Sequence, residues 1–169
     1  MSKKTQSEKT EISLKNLTLG LAAEKPMNAF IAHQKGEAIK DIYFSNEKID
    51  SEYSMVIGED GKLYKKLANG THHLFDSKGK MLDVVLQFGE DGQLKLSSCK
   101  HDNTVKNLRD PKAGTQRGHS SIARTINEKK EVIFAGEWQV NQGKIECINP
   151  KSGHFETPED NLEVMCRLL

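Results

Sequence analysis

The chain has 169 residues, 36% hydrophobic and 29% charged, a composition too polar for a bilayer and too rich in apolar residues for disorder. Its 25 basic and 24 acidic residues leave a net charge of +1, so no global field draws it to a phosphate backbone and nucleic acid is not an expected partner. No apolar run approaches the roughly 18 residues that span a bilayer, and the N-terminal MSKKTQSEKTEISLK lacks the apolar stretch of a secretory signal, so neither a membrane span nor classical export is expected.

Residues 1–11 are almost entirely Ser, Lys, Thr, Gln and Glu, which bury too little apolar area to offset the entropy of ordering. They are expected to form a mobile tail, with 12–169 a single β-rich domain. Pro26 suits a first helical turn, and Met27, Phe30, Ile31, Ala38, Ile39 and Ile42 recur at three- and four-residue spacing. An amphipathic helix is therefore predicted over 26–44, ending where Ser45, Asn46 and Asp50 supply turn chemistry.

The period then changes to two. Tyr53, Met55 and Ile57 alternate up to Asp60-Gly61, Leu63, Tyr64 and Leu67 return, and an Asp-Gly pair between such runs predicts a hairpin. Leu82, Val84, Leu86 and Phe88 repeat the phrase before Leu94 and Leu96, so GEDGKL at 58–63 and GEDGQL at 89–94 are near copies. Two copies are too few for a solenoid and fit an antiparallel meander. A turn at Ser77-Lys78-Gly79-Lys80 joins a short strand around Leu74 to the second hairpin. Residues 101–116, rich in Asn, Asp, Lys and Arg, read as a long exposed loop, a class that often carries function.

Beyond the loop, Val132, Phe134, Trp138 and Val140 alternate toward Asn141-Gln142-Gly143, and Ile145, Cys147 and Asn149 lead back, giving a third hairpin. A last helix should start at Thr157-Pro158-Glu159-Asp160, with Thr as cap, Pro in first position and an acid where a capping box wants one. Its apolar face, Leu162, Met165, Leu168 and Leu169, should dock on the sheet. The expected fold is thus α+β: an antiparallel β-meander forming a curved sheet or partly closed barrel, with an N-terminal amphipathic helix and a C-terminal helix packed on it.

Cys99, Cys147 and Cys166 form no CxxC pair and read as ordinary small apolar side chains in a reducing compartment. No metal and no cofactor are expected: adjacent His72 and His73 point to opposite faces of a strand, Cys99 and His101 share a face but lack a second pair, and the GEDG turns lack a calcium loop's ligands. His119, Ser120 and Ser121 in GHSS, Glu137 in AGEW, and Ser152, His154 and Phe155 in SGHF are the residues that merit attention. A serine, a histidine and a carboxylate are the ingredients of acyl transfer, so His119, Ser120, Glu137 and His154 are the candidate catalytic groups. There is no G-x-S-x-G elbow, and such side chains more often tie down turn backbone. The alternative is binding through His119, Ser121, Ser152, His154 and Phe155. On the first helix, residues 30–43 fit the calmodulin-type IQ pattern at the first apolar position, both basic positions, the glycine and the last aromatic, with Ile31 in place of the glutamine. Calmodulin-like partner binding there is a lesser expectation.

The ordered series Gly118-His119-Ser120-Ser121, Ala135-Gly136-Glu137, Val140 with Gly143-Lys144-Ile145, Ser152-Gly153-His154-Phe155 and Pro158 resembles a module of plant IQ-motif calmodulin-binding proteins, similar to segments of bacterial secreted effectors and toxins. It covers 118–169. The sequence departs from the module after HSS, where Ile122-Ala123-Arg124 and a charged insert at 127–131 replace apolar and glycine residues, and Phe155 excludes any role for a tyrosine hydroxyl. The resemblance implies a module without a catalytic mechanism to carry over. With Glu156, Glu159, Asp160 and Glu163 ahead of a Leu-Leu end, it also implies translocation like that of type IV secretion substrates, although acids near a helix N-terminus equally suit its dipole. The function expected is that of a non-enzymatic protein-binding or effector-type protein in a cytosol, its own or that of a host, with a protein partner. The alternative is a small transferase or hydrolase using His119, Glu137 and His154.

Overall fold

The computed structural model describes residues 42–67, 69–102, 116–126, 130–152, 155, 157 and 159–168. Among these residues seven strands form one antiparallel sheet: β1 (Ser54–Ile57), β2 (Leu63–Lys66), β3 (His72–Leu74), β4 (Leu82–Phe88), β5 (Leu94–Cys99), β6 (Phe134–Asn141) and β7 (Lys144–Asn149). The two GEDG phrases make the same turn. Gly61 N–H donates to Gly58 O and Gly92 N–H to Gly89 O, and the glycines at the last position take φ of 80° and 77°, which a side chain resists. In each, the aspartate accepts from the backbone two residues on, Asp60 from Lys62 and Asp91 from Gln93.

The order across the sheet is β3-β2-β1-β5-β4-β6-β7. A simple meander would set β3 beside β4; instead β1 pairs with β5. The chain leaves β3 through the turn at Ser77 and re-enters the sheet next to β6. The reason lies in the closure of the curl: Leu63 N–H donates to Gly143 O, Gly143 N–H to Phe75 O and Phe75 N–H to Leu63 O, while Ser77 exchanges hydrogen bonds with the Val140 backbone. These contacts draw the β2–β3 end of the sheet onto the β6–β7 hairpin. The result is a curled sheet, a half-barrel.

Alternation sorts the strands' side chains into two clusters. Met55, Ile57, Leu63, Val84, Leu86, Leu94, Leu96, Phe134, Trp138 and Val140 form one core, partly covered by Val164, Met165 and Leu168. Because Leu63 of β2, next to one edge of the sheet, belongs to this core and Ile145 and Ile148 of β7, at the other edge, pack against it, this is the face the curl encloses. Val85, Cys99, Ala135, Ile122, Ala123, Val132 and Phe155 form a second, smaller cluster on the outer face.

Helices are few. The C-terminal helix is present, Glu159–Leu168, with Val164, Met165 and Leu168 buried and Leu162 half-buried. The Thr157 hydroxyl, expected to cap it, instead accepts from Ala135 N–H and donates to Ala135 O, pinning the segment before the helix to β6. Pro158 and Leu169 lie outside the described residues, as do the expected tail at 1–11 and residues 26–41 of the expected N-terminal helix. Residues 42–44 of that helix are not helical: Ile42 N–H donates to Gln116 O. Where a turn was expected, Ser45 caps a short helix, α1 (Asn46–Lys48), that widens into the π-turn Ile49–Tyr53. The serine hydroxyl accepts from Lys48 N–H at 3.2 Å, so the residues that favour turns here serve as a helix start. We number the helix His119–Ile122 α2 and Glu159–Leu168 α3.

Of the cysteines only Cys99 is buried; Cys147 and Cys166 are exposed, a departure from the expected apolar packing. Cys147 Sγ lies 3.4 Å from Met81 Sδ at the open edge of the sheet. Among the described residues no helix is long and apolar enough to cross a membrane.

Candidate functional site

The motif residues gather on the outer face at one end of β4 and β6. The register sets Asp83 opposite both Cys99 of β5 and Glu137 of β6, so these three side chains share that face. Gly118 leads into α2, where Ser121 N–H donates to Gly118 O and the Ser121 hydroxyl accepts from Gly118 N–H at 3.3 Å. This reciprocal turn, too short for a full helix, presents His119 to the sheet. His119 Nε2 lies 2.7 Å from Gly136 O. A carbonyl only accepts, so Nε2 carries the proton and donates. The same nitrogen is 3.7 Å from Asp83 Oδ1, an electrostatic contact beyond hydrogen-bonding range. Gly136 of the AGE motif is required by packing: a Cβ there would collide with the Asn149 carbonyl and the Phe134 ring.

His101, just past β5, places Nδ1 3.2 Å from Asp83 Oδ2. The carboxylate therefore has one oxygen toward each imidazole. Asp83 is 2% exposed, and burial pushes its carboxyl above the usual range; His119, His101 and the hydrogen bond from His101 pull the other way, and the charge of Glu137 adds to the rise. Glu137 is half-buried and accepts from Asn149 Nδ2 at 3.3 Å. His101 sits beside the bridge that closes the base of the 101–116 segment, where Asp102 and Arg117 exchange backbone hydrogen bonds of 3.0 and 2.8 Å. Residues 103–115 lie outside the described residues.

The candidates thus divide. His119 and Glu137 come together around Asp83. The Ser121 hydroxyl holds the α2 turn, and the Ser152 hydroxyl accepts from Phe155 N–H at 3.1 Å, joining the first and last residues of SGHF. Phe155 is buried in the outer cluster, against the expectation that it meets a partner. Ser120 is buried, and its carbonyl accepts from Lys130 Nζ at 2.6 Å. His154 lies outside the described residues.

Sequence reasoning missed Asp83 and weighed His101 only as a metal ligand. The signal for Asp83 was present: it is a lone acid inside the strand LDVVLQF, at the parity of Val85 and Gln87 rather than of the enclosed leucines. It also missed Gln87, which is buried and uses its amide as a strand would. Arg124 N–H donates to Gln87 Oε1, and Gln87 Nε2 donates to Arg124 O at 3.1 Å and Glu131 O at 3.3 Å. That exchange anchors the chain just after α2. Among the described residues no three His, Cys, Asp or Glu side chains are grouped to hold a metal ion.

Two carboxylates and two imidazoles in one cluster can share, store or relay a proton. No protein-family model, characterised protein or solved structure matches the chain.

Proposed function

We propose that the chain is a non-enzymatic protein-binding protein of the effector type, acting in a cytosol, its own or that of a host reached without a classical signal. What supports this reading is the use to which the motif side chains are put. His119 donates to Gly136 O, so the imidazole that acyl transfer would employ is engaged in fastening the fold, as are the neighbouring hydroxyls of Ser121 on Gly118 N–H and Ser152 on Phe155 N–H. The resemblance of 118–169 to modules of IQ-motif and secreted effector proteins is part of the same proposal, as is translocation through the acidic C-terminal stretch. The lesser route, calmodulin-like binding through 30–43, falls almost wholly outside the described residues.

The test is a pull-down from cell lysate with the wild type, His154→Ala and Glu137→Gln, each checked for folding by circular dichroism. A stoichiometric partner retained by the wild type and lost with one variant, with no covalent change on that partner, is the expected result. A modified or cleaved lysate protein that disappears with Glu137→Gln overturns the reading in favour of the second one.

That second reading is a small transferase or hydrolase using His119, Glu137 and His154. The observation that favours it is the buried Asp83 carboxylate between His101 and His119, because perturbed acids beside imidazoles concentrate at catalytic sites.

A further inference from the structure

The two borders of the sheet are not alike. At β7 the pairing with β6 slips between Gln139 and Val140, and an irregular ladder is one way natural sheets guard an edge. At β3 the ladder is regular: Tyr64 faces Leu74, Lys65 faces His73 and Lys66 faces His72. Leu67 N–H donates to Thr71 O and Phe75 N–H to Leu63 O. In the alternation of an antiparallel pair, His72 and Leu74 therefore direct their N–H and C=O groups away from β2. β3 is last in the strand order, and among the described residues no strand lies beyond it.

The charge around this edge has one sign. Residues 62–80 hold Lys62, Lys65, Lys66, Lys78 and Lys80 against Asp76 alone, in a chain whose net charge is +1. Asp76 is itself taken up by the backbone N–H groups of Lys78 and Gln142. Leu67 and Leu74, both exposed despite their size, lie at the two ends of the edge. We propose that β3 is a docking edge for an extended acidic segment of a partner protein, which adds a strand through the backbone of His72 and Leu74 and sets its carboxylates toward Lys65 and Lys66. The inference deepens the binding function proposed above and rests on it. In such strand addition the main-chain bonds supply affinity and the side chains select the partner. A second copy of the chain is the wrong occupant, because it would bring the same basic stretch alongside, and lysines at an edge oppose that pairing.

The probe is a fluorescent peptide of alternating glutamate and valine, about six residues long as strands commonly are, added to the intact chain. Anisotropy should show binding that weakens with added salt, and the lysine-for-glutamate peptide should not bind. Amide exchange at His72 and Leu74 should slow severalfold at saturating peptide, while Ile133, bonded to Leu86 O, stays level. Lys65→Glu combined with Lys66→Glu should weaken binding severalfold. His72→Pro should do the same with an unchanged circular dichroism spectrum, since the N–H it removes points away from β2 and edge strands accept proline there. Unchanged exchange at both amides, or equal binding by the charge variant, overturns the docking edge. So does binding of phosphatidylserine vesicles or oligothymidine through the same lysines without binding of the peptide. The charge variant also separates this inference from the reading beneath it. A lysate partner still captured by that variant leaves the binding function standing and removes β3 from it, whereas capture of nothing by the wild type counts against the function itself.

Discussion

On its enclosed face the sheet turns Val84, Leu86, Leu94, Leu96, Phe134 and Trp138 inward, with Ser98 as the buried polar group among them; on its outer face the same strands carry Asp83, Gln87, Ser97 and Glu137 beside Val85 and Ala135. The enclosed face is held by apolar burial, which has no direction and asks only for volume. The outer face depends on directed contacts: two imidazoles on one carboxylate, and a glutamine amide that completes the backbone of Arg124. The first arrangement tolerates rearrangement. The second fails if one partner is lost, because the remaining buried group keeps its desolvation cost.

The strongest break in this contrast is Trp138→Ala. Trp138 is fully buried, packs against Phe75 and donates its Nε1–H to Ser98 Oγ at 2.9 Å. Truncation should cost about 3–5 kcal/mol, read from chemical unfolding. Gln87→Leu comes next and examines the other face. Leucine fills much the same volume, so any loss arises from the contacts with Arg124 N–H, Arg124 O and Glu131 O, at about 1–3 kcal/mol in all. If Gln87→Leu instead stabilises the chain, the outer face is held by burial as well and the contrast collapses.

A smaller effect joins the faces. The Ser98 hydroxyl accepts from Trp138 and donates to Asp83 O at 2.7 Å, so a side chain of the enclosed face supports the strand position that carries the outer carboxylate. Ser98→Ala should cost about 1–2 kcal/mol, mostly from the stranded indole N–H. Most of the loss should disappear in a Trp138→Phe background, leaving the share that belongs to the Asp83 O hydrogen bond, which a double-mutant cycle measures.

The enclosed face was legible in the sequence because its instruction is periodic. Leu82, Val84, Leu86 and Phe88 alternate without interruption, Asp-Gly marks two turns and Asn141-Gln142-Gly143 the third, with φ of 49° at Gln142 and 79° at Gly143. Strand order was not legible: the bonds among Leu63, Phe75 and Gly143 that curl the sheet join residues up to 80 positions apart and leave no local pattern. The outer site failed for the same reason. His119 and Glu137 were found because they sit in short motifs, whereas Asp83 and His101 become neighbours only once β4 and β5 pair and the bridge at Asp102 folds back. Thr157 shows a further limit. Its position before an acidic helix start matched a cap, yet the backbone of Ala135 offered both a donor and an acceptor, and tertiary contact took the hydroxyl.

The smallest effect at acid pH, and the one that separates the faces most cleanly, belongs to Asp83→Asn. Burial raises the Asp83 carboxyl above the 3.8 it has when unfolded, with Glu137 adding to the shift and the two histidines opposing it. A group whose folded pKa lies higher contributes stability that is fully present below its unfolded value and is lost as the pH rises through the folded one. The wild type should therefore lose this increment from about pH 4 upward, while Asp83→Asn, which keeps the shape without the titration, should not. The difference between the two unfolding free energies, small at acid pH, then shifts in favour of Asp83→Asn with rising pH. No such shift is expected between the wild type and Trp138→Ala, since neither Trp138 nor the alanine titrates. Denaturant titrations of all three chains at a series of pH values decide it: a constant difference for Asp83→Asn would mean that the buried carboxylate is charged at no cost, and the outer face would need another account.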